Sequence, residues 1–159
     1  MTRCYLGLGS NLRSPERQLR QAIKLLHKIP RSVVTQMSTT YLSRPLGVRS
    51  QPQYCNMVLE IETSLSANHV LHYCQRIENQ LKRRRKKHWG ARTIDIDLLL
   101  YGKCTINQQH LKVPHPEMIH RDFVLVPLLE IAPKAQLPNG ASLDLYIKQC
   151  VNYIIGNEG

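Results

Sequence analysis

The sequence lacks any hydrophobic run long enough to cross a membrane. A spanning helix needs about 20 consecutive apolar residues, and polar or charged residues interrupt each apolar stretch well before that length. The first twelve residues, MTRCYLGLGSNL, also lack the apolar core and the small-residue cleavage site of a secretory signal. We therefore expect a cytoplasmic protein without a membrane partner.

Paired cysteines are missing as well. The 159 residues include five cysteines, which stand singly and form neither a CxxC pair nor a cluster with histidine, so the sequence gives no indication of a zinc site. An odd number of cysteines without a secretory signal is typical of reduced cytosolic thiols. We interpret them as small buried or half-buried side chains. They are Cys4, Cys55, Cys74, Cys104 and Cys150.

Aromatic residues are scarce, at 6% of the chain, with Trp89 the single Trp and Phe123 the single Phe. Few side chains are therefore available to stack on a flat ligand. Tyr54 shares a predicted strand face with Asn56, and an aromatic ring beside an amide suits a heteroaromatic ligand with ring N–H and C=O groups. Packing in the core is the alternative for Tyr54 and Phe123.

Acidic residues are outnumbered, and the formal net charge is +11. More than half of this excess lies in one segment, KRRRKK, from Lys82 to Lys87. Such a run indicates an anionic partner, either nucleic acid or a small polyanion, or else a solvated surface segment.

No repeat, low-complexity tract or linker divides the chain, so we expect a single domain over residues 1–159. The patterns predict strands at RCYLGLGS, SVVTQMSTTYLS and YCNMVLEIET, and a helix after Ser14 that carries Leu19, Ala22, Ile23, Leu26 and Ile29 on one face. A second helix, capped by Ser66, is predicted from Ala67 to about Lys82 with Val70, Leu71, Cys74, Ile77 and Leu81 as its apolar stripe.

These elements, followed by a strand over residues 94–100, give the order β-α-β-β-α-β. We therefore predict an α+β fold, an α/β sandwich with a ferredoxin-like core and an antiparallel sheet. Both helices would cover one face of the sheet and leave the other face free for binding. The C-terminal extension should contain a short strand pair, one helix at FVLVPLLEIAP and a second helix at SLDLYIKQCVNYI. We interpret GLGSN as a tight strand-to-helix turn, where Gly9 would allow close approach by another segment.

The strand that contains DID is the most informative element. Ile94, Ile96, Leu98 and Leu100 alternate with Thr93, Asp95, Asp97 and Leu99. Asp95 and Asp97 therefore share one face, about 7 Å apart, and two such carboxylates repel unless a cation neutralises them. Magnesium typically binds one or two carboxylates together with substrate phosphates, and His115 could donate to the same phosphates. The alternatives are polar residues on a half-solvated strand and a histidine in a surface loop.

Several segments together resemble the 6-hydroxymethyl-7,8-dihydropterin pyrophosphokinase family of the folate pathway. They are YLGLGSN, YLSRPLG, QPQYCNMV, QRIE, RRRKKHWGARTIDIDLLLYG and VPHPEMIHRDFVLVPLLEIAP. The resemblance extends from about residue 4 to about residue 135 and agrees with the α/β fold read from the elements. It implies transfer of a pyrophosphoryl group from ATP to the pterin hydroxymethyl group, with release of AMP and with two Mg²⁺ ions.

The resemblance also implies roles for individual residues. The implied metal ligands are Asp95 and Asp97, and Arg83 and Arg92 join them as catalytic residues. The implied ATP-binding residues are Gln75, Glu78, Arg85, Trp89, Arg92, His115 and Arg121. The implied pterin-binding residues are Ser43, Leu46, Tyr54, Asn56, Asp95 and Phe123.

The chain departs from the family pattern at several positions, which are Arg44, Lys82, His110, Lys112 and Pro116. These changes concern nucleotide contacts and affinity rather than the aspartate pair. The partners implied are ATP and the pterin, with no nucleic acid, and we expect a monomer. The rival hypothesis is an RNA-binding ferredoxin-like module, but the chain lacks the aromatic strand motif that stacks bases.

Overall fold

The computed structural model describes residues 1–11, 15–45, 53–83 and 94–158, without the side chain of Arg83. Its strands are β1 (Thr2–Ser10), β2 (Ser32–Met37), β3 (Thr40–Ser43), β4 (Tyr54–Thr63), β5 (Asp95–Tyr101), β6 (Ile106–Asn107), β7 (Lys112–Val113) and β8 (Ile154–Glu158). Its α-helices are α1 (Pro15–Leu26), α2 (Ala67–Arg83), α3 (Asp122–Ile131) and α4 (Asp144–Ile147), and a 3₁₀ turn spans Met118–His120. None of the described helices is long and apolar enough to cross a membrane.

The main sheet has the order β5-β1-β4-β3-β8, and β2 also pairs with β4. Each of these pairings is antiparallel, which confirms the predicted mixed α/β class and antiparallel sheet. The ferredoxin-like assignment itself stays a prediction.

The long strand predicted over residues 32–43 is divided into β2 and β3. Both pair with β4, β2 along its second half and β3 along its first. The division falls at Ser38, whose hydroxyl oxygen accepts the N–H of Val58 at 2.9 Å. A side-chain bond thus takes the place of a main-chain ladder bond at the break.

The first face of the sheet is covered by α1 and α2, as predicted. The buried residues there include Leu6, Leu8, Leu59 and Ile61 from the sheet, Leu19, Ala22 and Leu26 from α1, and Val70, Cys74, Ile77 and Leu81 from α2. Ser66 caps α2, since its Oγ accepts the N–H of His69 at 3.2 Å. The proposed cap Ser14 lies outside the described residues.

The second face is not free along its whole length, so that prediction was wrong in part. Helix α3 and the segments after it cover one end, where Tyr5, Val58, Leu99 and Leu100 pack with Leu125 and its neighbours. A register shift between Tyr5 and Leu6 makes Leu99 an extra residue opposite β1. The predicted alternation therefore fails after Leu98, because the bulge brings both Leu99 and Leu100 to this face.

The second C-terminal helix was also predicted wrongly. Helix α4 is a single turn, and the chain then continues as β8 along the edge of β3. The β-branched residues of VNYII favour an extended strand, and β3 offers an edge of unpaired N–H and C=O groups.

The five cysteines are free thiols. Cys4, Cys55 and Cys74 are buried and Cys150 is half-buried, as predicted, but Cys104 is exposed because it follows the turn after β5. Burial raises the pKa of Cys4 and that of Cys74 to about 12, so these thiols stay protonated and unreactive.

Candidate active site

Two glycines on β1 form the floor of a cavity in the uncovered part of the second face. The cavity has a volume of about 200 Å³. Gly9 lies between Asp95 on β5 and Asn56 on β4, and Gly7 lies between Asp97 and Val58. Without side chains, the glycines leave space between the flanking strands.

These glycines are strand residues, so the interpretation of GLGSN as a turn was wrong for them. The predicted close approach at Gly9 is confirmed, because a Cβ atom there would lie 3.0 Å from Asn56 Oδ1. At Gly7 a Cβ atom would lie 3.4 Å from the Leu99 side chain, an ordinary contact distance. The approach of Asn56 to Gly9 is thus the closer of the two contacts.

Asp95 and Asp97 both line the cavity. The β1 register places them on one strand face, as the alternation predicted. Glu78 on α2 contacts the same strand, because its Oε2 accepts the N–H of Ile96 at 2.8 Å. Burial raises the pKa of Glu78, and the Ile96 N–H offsets only part of that effect.

Glu78 therefore contacts the strand that carries the aspartates and does not line the cavity. Gln75 lies exposed on the same helix, also away from the cavity lining. The structure does not bring these two residues together with the other predicted site residues around the cavity.

His115 lies on the aspartate side of the cavity, with Nε2 at 4.0 Å from Asp97 Oδ2. Its Nδ1 accepts the N–H of Glu117 at 3.2 Å, so the neutral ring carries its proton on Nε2, facing Asp97. Burial lowers the pKa of His115. The charge of Asp97 raises this pKa and the charge of Arg121 lowers it further, and the net shift is downward. The ring is consequently a neutral donor at physiological pH.

The opposite wall of the cavity consists of polar and aromatic side chains. Asn56 Nδ2 donates to Ser43 Oγ at 2.8 Å, which fixes the amide so that its oxygen lies over Gly9. Tyr54 and Phe123 also line the cavity, and both are half-buried rather than enclosed in the core. The wall thus combines a hydrogen-bond acceptor with two aromatic rings; its role in binding a pterin stays a prediction.

Some predicted site residues lie outside the described residues. They are Leu46, Arg85, Trp89 and Arg92, together with the side chain of Arg83. Sequence reasoning missed Gly7 as a floor residue, although its spacing of two from Gly9 was a usable signal. Arg44, noted only as a departure from the family, also lines the cavity, as does the predicted Arg121.

The donor set suits magnesium. Two carboxylates on one strand face offer the hard oxygen ligands that this ion prefers. The described part of the chain contains no group of three or more His, Cys, Asp or Glu side chains arranged to hold a metal ion. A cation here would therefore complete its coordination with substrate oxygens and water, which is the usual arrangement for magnesium.

An α/β domain whose cavity joins paired carboxylates to an aromatic and amide wall has the features of a transferase that acts on a small molecule. The family model for 7,8-dihydro-6-hydroxymethylpterin-pyrophosphokinase (HPPK) matches residues 5–133, and the chain belongs to this family.

Proteins of similar sequence point to the same family. The 2-amino-4-hydroxy-6-hydroxymethyldihydropteridine pyrophosphokinase of Haemophilus influenzae is 42% identical over 153 residues, which are 96% of each chain. The Bacillus subtilis enzyme of the same name is 45% identical over 132 residues, 83% of this chain and 79% of that one.

Among solved structures, HPPK-DHPS of Plasmodium falciparum with pteroate superposes with a TM-score of 0.74 at 13% identity. The superposition covers 94% of this chain and 42% of that one, so this chain spans less than half the length of that protein. At this level of identity the likeness shows the fold.

Proposed function

We propose that this protein transfers pyrophosphate from ATP to the hydroxymethyl group of 6-hydroxymethyl-7,8-dihydropterin in folate biosynthesis, in a magnesium-dependent reaction that releases AMP. The observation that carries the proposal is that one cavity is lined both by Asp95 and Asp97 and by Asn56, Tyr54 and Phe123. Membership of the HPPK family supports the choice of a pterin as the flat ligand.

The aromatic and amide wall would recognise the pterin. The Asn56 oxygen, held in place by Ser43, would accept a hydrogen bond from a ring N–H. Tyr54 and Phe123 would bury the faces of the ring, and stacking adds about 0.5–1.5 kcal/mol to the free energy of burial. The hydroxymethyl group would then extend along the glycine floor towards the aspartates.

The aspartate side would receive the triphosphate. Asp95 and Asp97 would hold Mg²⁺, and the family pattern implies two ions. Bound Mg²⁺ would neutralise phosphate charge and favour the deprotonated form of the pterin hydroxyl group. Arg121 and the His115 Nε2–H group supply positive charge and a donor on this side. Arg83, Arg85 and Arg92 would contact the phosphates as well, with Trp89 in the same loop and Gln75 and Glu78 on the nucleotide side.

The chemistry requires positioning and charge stabilisation more than covalent participation. The pterin oxygen forms a bond to the β-phosphorus and loses its proton, while the bond between the β-phosphorus and the α–β bridging oxygen breaks and AMP leaves. We further propose that the enzyme acts as a cytoplasmic monomer.

The product nucleotide tests the proposal directly. Purified protein incubated with ATP, magnesium and the reduced hydroxymethylpterin should form AMP and pterin diphosphate in equal amounts, with no AMP when the pterin or the magnesium is omitted. Chromatography separates AMP from ADP, and stoichiometric ADP would reject a pyrophosphoryl transfer.

An RNA gel-shift at two salt concentrations addresses the rival binding hypothesis, which requires tight, strongly salt-dependent binding.

A further inference from the structure

The segment that leads into β8, residues 151–154, includes the first residue of that strand and connects two parts of the cavity wall; we call it the clamp segment. It does not itself line the cavity, and it follows the region matched by the family, which ends at residue 133. Its contacts fall on residues that do line the cavity or stand directly beside them. It is therefore a candidate for shaping the site from outside.

On one side the clamp segment holds the beginning of α3. Val151 forms a parallel bridge with Arg121. The buried Asp122 accepts the N–H groups of Tyr153 and Ile154 through Oδ2, at 2.9 and 3.0 Å. These contacts tie Arg121 and Asp122 to the clamp segment, and Arg121 and Phe123, the two neighbours of Asp122, line the cavity.

On the other side the clamp segment holds the end of β3. The N–H of Arg44 donates to the Tyr153 carbonyl oxygen at 2.9 Å, and the Arg44 guanidinium donates to the Asn152 carbonyl oxygen. Ile154 pairs with Ser43 in the sheet. Ser43 is the residue whose hydroxyl orients the Asn56 amide.

The Tyr153 ring lies where the two sides meet. Its centroid is 5.9 Å from that of Phe123, with an interplanar angle of 81°, an edge-to-face arrangement of the favourable kind. The Arg44 guanidinium carbon lies 5.5 Å from the same ring on a cation–π contact. One side chain thus restricts both Phe123 and Arg44.

We propose that Tyr153 is a positioning residue for the pterin, which acts by holding the Phe123 ring and the end of β3 in their binding geometry before the substrate arrives; this rests on the proposed function. A ring that is already ordered loses less conformational freedom on binding, so preorganisation raises affinity without a direct contact. The aspartates lie on β5, at the opposite side of the floor, and Glu78 holds their strand. Because the Tyr153 ring contacts Phe123 and Arg44 and not the aspartates, its loss should affect the pterin more strongly than ATP.

The test compares Tyr153→Leu, which removes the ring but keeps an apolar side chain, with Tyr153→Phe, which keeps the ring. Loss of the aromatic contact should raise the KM for the pterin by about three- to tenfold in Tyr153→Leu. The kcat and the KM for ATP should change less than the KM for the pterin, and Tyr153→Phe should behave as wild type because its ring contacts remain.

Tyr146→Leu is the matched control, because Tyr146 is a partly buried tyrosine of the same C-terminal region that packs in the second core cluster and not on the cavity. It should lower the unfolding midpoint without changing the KM for the pterin. An unchanged pterin KM in Tyr153→Leu would overturn the inference. So would equal changes for the pterin and ATP, or the same rise in Tyr146→Leu.

Hydrogen exchange on the wild-type protein gives a second measurement that does not depend on any variant folding. The pterin should slow exchange at the N–H groups of Tyr153 and Ile154, and unchanged exchange in the presence of bound pterin would contradict a coupled clamp segment. A wild-type protein that neither binds nor converts the pterin would instead reject the proposed function, so the two failures are distinguishable.

Discussion

Replacing Gly9 with alanine should lower the affinity for the pterin and leave the free energy of unfolding almost unchanged. The new Cβ atom would lie 3.0 Å from Asn56 Oδ1 and 3.9 Å from Tyr54 Cδ1. The first distance is too short for a relaxed contact, so the Asn56 amide must move by a few tenths of an ångström. That movement disturbs both its 2.8 Å bond to Ser43 and the acceptor proposed for the pterin.

The expected effect follows from hydrogen-bond energies. A weakened bond between neutral groups costs about 0.5–1.5 kcal/mol, and a buried ligand donor left without an acceptor costs about 1–3 kcal/mol. Pterin affinity should therefore fall by about 10- to 100-fold, since about 1.4 kcal/mol corresponds to a factor of ten. Alanine is better than glycine inside a strand by about 0.5–1 kcal/mol. This gain opposes the strain, so the free energy of unfolding should change little.

Calorimetry with the pterin and with ATP, beside thermal unfolding, measures these quantities. Gly156→Ala is the matched control, because Gly156 also lies in a strand but a Cβ atom there meets Leu42 at an ordinary 3.8 Å. Gly156→Ala should gain the same stability from alanine in place of glycine in a strand, and it should bind the pterin as tightly as wild type. A Gly9→Ala protein that binds the pterin as tightly as wild type would refute the assignment of Asn56 as the fixed acceptor.

Three further changes test other parts of the molecule. Asp97→Ala should lose most of the turnover while circular dichroism stays native, and near-normal activity would remove its role as a metal ligand. Tyr54→Ala should weaken pterin binding by more than about tenfold; equal weakening of ATP in calorimetry would indicate a general packing defect instead. Glu130 accepts three bonds, two from Thr39 and one from Tyr41, so Glu130→Gln should lower the free energy of unfolding by about 1 kcal/mol. Burial raises the pKa of Glu130, but those bonds outweigh it and hold the pKa below its usual value. The difference in free energy of unfolding between wild type and Glu130→Gln, measured by chemical denaturation, should therefore be fully present near pH 7. It should shrink as the pH falls through that lowered pKa. A difference that grows in acid would contradict this.

The features that the sequence predicted well are those that depend on a regular spacing of side chains over a short stretch of chain. Helix α2 follows its apolar stripe from Ala67 and ends one residue beyond the predicted end. The alternation around Asp95 and Asp97 places both carboxylates on one face because each strand residue points away from its neighbour. The aromatic and amide wall was found for the same reason, since Tyr54 and Asn56 are two residues apart on β4.

The features that sequence did not predict depend on partners far along the chain. The bulge at Leu99 is visible only against β1, and β8 forms only because β3 leaves an edge for it. Thr40 and Glu158, which pair across that edge, are 118 residues apart. The β-branched residues of VNYII are only a weak local signal, and periodicity alone does not distinguish so short a strand from a helix.

The position of β8 also has a consequence for the order in which the molecule is completed. The residues that build the sheet from β1 to β5 and its two covering helices all precede residue 102, so they are synthesised before the clamp segment exists. Pairing β8 with β3 then closes a loop of more than a hundred residues, and such long-range contacts form late in folding. A chain caught before this step would have its core and its aspartate strand but an open aromatic and amide wall, which is the proposed pterin site. Local unfolding that begins at this edge would likewise abolish recognition of the pterin while most of the protein remains folded.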